Sequence, residues 1–253
     1  MRSSLTGELN DDCFSVHPNL FSSGDWNDFF HFLSEHTIAP LFCDLIKYIP
    51  DHCDVKKVWR DLTFRNINYY YRLLDQQNQI LNAFQNKNIL VAVLKGTAVA
   101  KYYLKPQLRG FGDIDLLVKP EDYERAVKCL FSIGCEETST ESELERGRHR
   151  SFHSNSISIE LHHFFSLRVN AEKANELDGM LFCAISQKDS VLPDTENGLV
   201  LLSHIRQYLE EGLGLRQVID WMMFVKCSLN NKLWSESFQY KAQKPVWKHW
   251  QLL

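Results

Sequence analysis

The run LRGFGDIDLLV, residues 108–118, sets two aspartates, Asp113 and Asp115, one residue apart at the mouth of an apolar stretch. Side chains alternate across a strand, so the two carboxylates share a face while Ile114 and Leu116 turn to the core. Further on, SISIELHHFF (156–165) alternates as cleanly, with Ile157, Ile159 and Leu161 on one face and Ser158, Glu160 and His162 on the other. If the two strands are neighbours, Glu160 joins the aspartates. Three carboxylates within a few ångströms repel one another and raise each other's pKa values. A cation relieves the conflict, and an all-oxygen set suits a hard divalent ion, Mg2+ above all where phosphates add ligands. Two such ions about 4 Å apart activate an attacking oxygen and neutralise a leaving pyrophosphate. The same repulsion predicts that Asp115→Asn, without ligand, melts at or above the wild-type temperature.

Other residues fit this chemistry. Lys95, Gly96 and Thr97 close the apolar run NILVAVLKG (88–96). The glycine allows a phosphate close to the backbone, and Thr97 reads as the N-cap of a helix whose first amides are free. Lys95 is a further candidate for phosphate, against the reading of a solvated strand cap. Arg109, just before the acidic strand, has the planar fork that binds phosphate bidentately. Arg146, Arg148, His149 and Arg150 form a basic cluster, either a clamp for an anionic substrate or an ordinary solvated loop. His162 shares the Glu160 face and His163 packs with Phe164; the pair suggests zinc, but no further ligand stands at zinc spacing. Arg216 and Asp220, four apart in LGLRQVID, read most simply as a helix-surface ion pair. Arg216 becomes a nucleotide contact if that helix faces the cleft. Trp221, Met222, Phe224 and Val225 read as core.

The elements that must position these groups are legible from periodicity. Residues 26–36 carry Trp26, Phe29, Phe30, Phe32 and Leu33 at helical spacing, and APLFCDLIKYI follows as a second short helix. A long helix runs from about Val55 to Asn86, with Leu73, Leu74, Ile80, Leu81 and Phe84 on one stripe and glutamines opposite. Three strands (88–96, DIDLLV and SISIELHHFF) alternate with a helix after Gly96 and with KPEDYERAVKCLFSIG, which has proline in its first turn and Gly134 at its end. The charged stretch EETSTESELERGRHR reads as a loop. From about Ala171 the pattern is helical again. The fold class is therefore α+β, with an N-terminal helical region (1–87), an α+β core (88–170) and a C-terminal helical region (171–253). KAQKPVWKHWQLL reads as a shortened end of that last region.

The order of a glycine-containing strand-to-helix turn, DxD on one strand and a carboxylate on a later strand resembles the polymerase-β-type nucleotidyltransferase superfamily. More closely, VLKGTAVAKYYLKPQLRGFGDIDLLVKPEDYERAV with SISIELHHFF and GLGLRQVIDW resembles the bacterial uncharacterised nucleotidyltransferase family, over most of the chain. The resemblance implies a minimal nucleotidyltransferase core, a small mixed sheet with helices, flanked by helical regions. It also implies Mg2+-dependent transfer of a nucleoside monophosphate from a nucleoside triphosphate to an acceptor hydroxyl. Gly96 and Thr97 match the turn that holds the triphosphate, although the superfamily has glycine or serine where this chain has Thr97. Asp113 and Asp115 match the first two metal carboxylates, and Glu160 the third, which activates the acceptor. The acceptor is a small molecule, an RNA or a protein. The alternatives are a catalytically inactive nucleotide- or partner-binding protein of the same fold, and a toxin-like transferase acting on RNA or protein.

The whole-chain properties narrow the field. A net charge of −4 over 253 residues argues against a protein that coats nucleic acid through overall basicity, without excluding a local basic groove. Seven scattered cysteines, with no CxxC pair, fit reduced thiols better than a disulfide framework. MRSSLTGELNDDC lacks the apolar core of a secretory signal, and no apolar run approaches a membrane span. These features predict a cytoplasmic protein without a membrane partner.

Overall fold

The computed structural model describes residues 21–141, 147, 149–166, 171–186, 189–208 and 212–228. Helix α1 (Ser23–Glu35) starts at a capping box, in which the Ser22 hydroxyl accepts from the Asp25 amide and the Asp25 carboxylate accepts from the Ser22 amide. It buries Trp26, Phe30 and Leu33. The next segment, Ala39–Tyr48, is a 3-10 helix kinked at Phe42 rather than a regular α-helix. The long helix α2 (Asp54–Asn86) follows.

The glutamines of α2 correct the sequence expectation. Gln76 and Gln77 lie on the buried stripe with Leu73, Ile80 and Phe84, because each finds a polar partner there. Gln77 Oε1 accepts from the Thr97 hydroxyl at 2.6 Å, and Gln76 Oε1 accepts from Asn155 Nδ2 at 2.9 Å. A buried amide is tolerable when bonded in this way.

Strand β1 (Val91–Leu94) turns at Lys95 into the short helix α3 (Gly96–Ala100). Lys95, not Thr97, occupies the cap position; Thr97 sits inside the helix with its hydroxyl committed to Gln77. Strand β2 (Ile114–Val118) leads through a 3-10 turn at Pro120–Asp122 to α4 (Tyr123–Ser132). Gly134, at φ +83°, ends that helix as the sequence indicates.

The sheet has five strands rather than three, because part of the presumed loop pairs. Glu136–Glu137 form β3 and His149–Ser154 form β4, which turns at Asn155–Ser156 into β5 (Ile157–His162). Both turn residues have positive φ, 51° and 64°, as a two-residue type I′ hairpin requires. The order is β1-β2-β5-β4-β3; β2 and β5 run parallel and every other pair antiparallel. Beyond lie α5 (Ala171–Ala184), α6 (Asp194–Tyr208) and α7 (Leu215–Ser228).

Both sheet faces are covered. Ile114, Leu116, Val118, Ile157, Ile159 and Leu161 pack with α2 and α4. Ala92, Leu94 and Leu117 meet α5 and α6 through Leu177, Leu181, Leu199 and Val200. A third cluster joins α1, α2, α3 and α7 around Trp26, Trp59 and Phe224. On α7, Phe224 is buried and Trp221 packs partly against this cluster, but Met222 and Val225, expected in the core, are exposed. The molecule is an α+β fold with a small mixed sheet and flanking helices, the architecture of a nucleotidyltransferase core. Among the described residues, no helix is long and apolar enough to cross a membrane.

Candidate active site

The parallel pairing of β2 with β5 places Asp115 directly beside Glu160. Neighbouring strands lie about 4.8 Å apart, so in-register side chains on one face are adjacent. Asp113 joins them from the residue before β2, and the three carboxylates offer oxygens within 4.8 Å of one another.

The three are not equivalent. Asp115 is 2% exposed, and its Oδ1 faces Lys95 Nζ at 2.9 Å and His162 Nε2 at 3.1 Å. Burial disfavours its charge, but Lys95 and His162 outweigh burial and hold its pKa well below the usual carboxylate range. Glu160 is also lowered: burial opposes its ionisation, and the hydrogen bond from His162, Nε2 to Oε2 at 3.2 Å, more than offsets that. Asp113 carries the conflict. Burial, then the charges of Asp115 and Glu160, raise it to about 6, with Lys95 acting in the opposite sense. Lys95 is raised, because attraction to Asp115, Asp113 and Glu160 outweighs burial.

Lys95 reaches this position through an unusual backbone. Its φ of +48° lies in the left-handed region, and Gly96 follows at +35°. A non-glycine residue held there costs on the order of 1–3 kcal/mol, a strain that clusters at functional sites. The tight turn aims the lysine at Asp115, and the ion pair helps to hold the turn.

Arg109 is placed differently from its sequence reading. Its fork grips Asp220 of α7, Nε to Oδ1 at 2.7 Å and Nη2 to Oδ2 at 2.6 Å, while Nη1 donates to the Gly110 carbonyl. The Tyr103 hydroxyl donates to the same Asp220 at 2.6 Å. Arg109 is 5% and Asp220 2% exposed, so the arginine is a buried strut in this structure, and its bidentate capacity goes to a carboxylate. Asp220 accordingly pairs with Arg109 rather than with Arg216.

Arg216 is left half-buried. Its pKa is lowered first by burial and next by Arg109, while Asp220 and Asp113 act in the opposite sense, so it lies within electrostatic reach of the carboxylates. His204 of α6 lies within the same reach; burial, then the charge of Lys95, lower it to about 3 and keep it neutral. Tyr69 of α2 donates to the Gly112 carbonyl and braces the loop that carries Asp113.

Of the basic cluster, His149 reaches this site, its ring 4.9 Å from that of His162, and Arg150 does not. Arg150 pairs with Glu137 at 3.5 Å and lies near Glu124 at 3.9 Å, on the face opposite His149; Arg146 and Arg148 lie outside the described residues. His163 packs at a tilt against Phe164 and Tyr123, with centroids at 4.6 and 4.0 Å.

The profile of the uncharacterised nucleotidyltransferase family matches residues 22–252. The chain belongs to that family. No curated protein matches it. Around the carboxylates, His204 and the pairing of His149 with His162 are the neighbours that sequence reasoning missed. The second had a signal: HRSFHS-NS-ISIELH is two alternating runs about a hairpin dipeptide, and pairing them sets His149 opposite His162. His204 had none, since only tertiary packing brings α6 to the site.

Proposed function

We propose that this chain transfers a nucleoside monophosphate from a nucleoside triphosphate to an acceptor hydroxyl, with Asp113, Asp115 and Glu160 holding Mg2+. The observation that carries this reading is the convergence of three carboxylates, one of them raised to about 6 by burial and its neighbours. A carboxylate held in that state is a group to which a cation adds stability. The donor set is all oxygen and fits a hard divalent ion, or two sharing the carboxylates. Bound there, such ions neutralise the charge that develops on the transferring phosphate and the leaving pyrophosphate.

The protein's own groups divide the remaining work. The Lys95–Gly96–Thr97 turn and Arg216 receive the triphosphate. Lys95, paired with Asp115 at 2.9 Å, would turn to a phosphate oxygen of the triphosphate if Asp115 held Mg2+. Glu160, at the rim and oriented by His162, accepts the proton of the attacking hydroxyl. Arg109 acts from behind, through Asp220, to hold α7 and therefore Arg216 against the site. Among the described residues, helices α1 and α2 on one side and α5 to α7 on the other flank the α+β core.

The test is pyrophosphate release from a panel of nucleoside triphosphates with candidate small-molecule, RNA and protein acceptors. Mg2+-dependent release that disappears in Asp113→Asn and Glu160→Gln supports transfer. Tight Mg2+-dependent nucleotide binding with no turnover on any acceptor class favours a nucleotide-binding protein of the same fold.

A further inference from the structure

His162 has a carboxylate two residues away in Glu160, and the fold supplies a second imidazole, His149. Strands β4 and β5 set His149 directly opposite His162, so both imidazoles share the Glu160 face, with ring centroids 4.9 Å apart. His149, Glu160 and His162 each present a ligand atom within 4.8 Å of the other two. His162 is 1% exposed, and its Nδ1 is buried with no hydrogen-bond partner among the described residues. Its Nε2 stands 3.2 Å from Glu160 Oε2.

Two imidazoles and a carboxylate make a donor set that suits Zn2+ and its neighbours in the transition series, not Mg2+. Metal bonds of about 2.0–2.2 Å in a tetrahedron hold their donors roughly 3.4 Å apart. The Glu160–His162 pair already has about that spacing, and side-chain rotation brings in His149. Two strands with fixed cross-strand register supply the rigid frame such a site needs.

We propose that His149, Glu160 and His162 bind a borderline divalent cation of the Zn2+ type. Because Glu160 also belongs to the Asp113–Asp115 set, an ion on the histidine side draws it away, and the site is inhibitory. The inhibitory half rests on the function proposed above; the metal site itself does not.

The probe is Co2+ titrated into the metal-free full chain and read by its visible absorption. The expected result is the intense bands of four- or five-coordinate Co2+ saturating at one equivalent, lost in His149→Gln and retained in Asp113→Asn. Circular dichroism of His149→Gln confirms that the variant folds. Absence of bands in the wild type overturns the site, as do bands that survive His149→Gln or vanish in Asp113→Asn. For inhibition, Zn2+ should weaken binding of a Mg2+–nonhydrolysable nucleotide at least tenfold in the wild type and leave His149→Gln unaffected. Unchanged affinity with Zn2+ bound overturns the inhibitory half. A wild type that binds no Mg2+–nucleotide at all removes the nucleotidyltransfer reading, and the inhibitory half with it, while the Co2+ spectra still decide the site.

Discussion

Asp113 and Asp115 look interchangeable in the sequence, and the structure separates them. Repulsion alone predicts that Asp115→Asn relieves the metal-free protein. In the fold, however, Asp115 is the partner of Lys95 and His162, and its loss takes from a buried ammonium its nearest counter-charge, leaving the more distant Asp113 and Glu160. Removing one member of such a pair costs about 3–5 kcal/mol. The expected outcome is therefore that Asp115→Asn lowers the urea midpoint of the metal-free protein, whereas Asp113→Asn raises or preserves it. The pH dependence follows with its sign. Asp113 ionises near 3.8 when unfolded and near 6 when folded, so the unfolded chain releases its proton first and this group destabilises the fold progressively between those values. The advantage of Asp113→Asn should grow from about pH 4 to pH 6 and then level off. A midpoint difference that is flat over that window contradicts the assignment. Lys95→Met offers a separate check. It vacates the cation beside Asp115, so Mn2+ alone, followed by electron paramagnetic resonance, should bind more tightly than to the wild type while nucleotide affinity falls. Weaker Mn2+ binding in Lys95→Met would show that the lysine does not compete for the metal position.

At the scale of elements, the loop that delivers Asp113 is anchored at several points. Arg109 ties it to α7, Tyr69 ties it to α2, and Gly110 passes so close to Thr37 that a Cβ would run into the Thr37 carbonyl oxygen. Gly110→Ala should therefore destabilise by several kcal/mol in chemical denaturation, because backbone must move to admit it. Asp220→Asn should cost about 3–5 kcal/mol, since it leaves the Arg109 guanidinium buried without its counter-charge. Near-neutral stability in either variant would mean that the loop has another anchor. This strut also marks the limit of sequence reading. Period-2 alternation set Asp113 and Asp115 on one face and Glu160 on the polar face of its own strand, leaving the β2–β5 adjacency to the fold, while helical periodicity and end signals marked α2 and α4. Which arginine serves Asp220 did not follow: the i,i+4 spacing of Arg216 was visible, and the approach of residue 109 across 111 positions was not. The two-residue edge strand β3 and the start of β4 were hidden in a charged stretch that reads as loop, although the Asn155–Ser156 turn signals the β4–β5 pairing.

For the whole molecule, the site lies where three packing clusters meet: the sheet with α2 and α4, the opposite face with α5 and α6, and the N-terminal helices with α7. Neutral His204 on α6 and Arg216 on α7 reach the carboxylates from outside the sheet, so the C-terminal helices belong to the site's electrostatics. A ligand that bridges them should stabilise the fold as a whole by mass action, about 2.7 kcal/mol at a hundredfold excess over its dissociation constant. The most direct measurement is the unfolding free energy of the wild type and of Asp113→Asn, each with a nonhydrolysable nucleoside triphosphate, with and without Mg2+. The expected result is a gain of that order in the wild type only when Mg2+ and nucleotide are both present, and almost none in Asp113→Asn. Equal gains in the two proteins would mean that nucleotide binding does not run through these carboxylates.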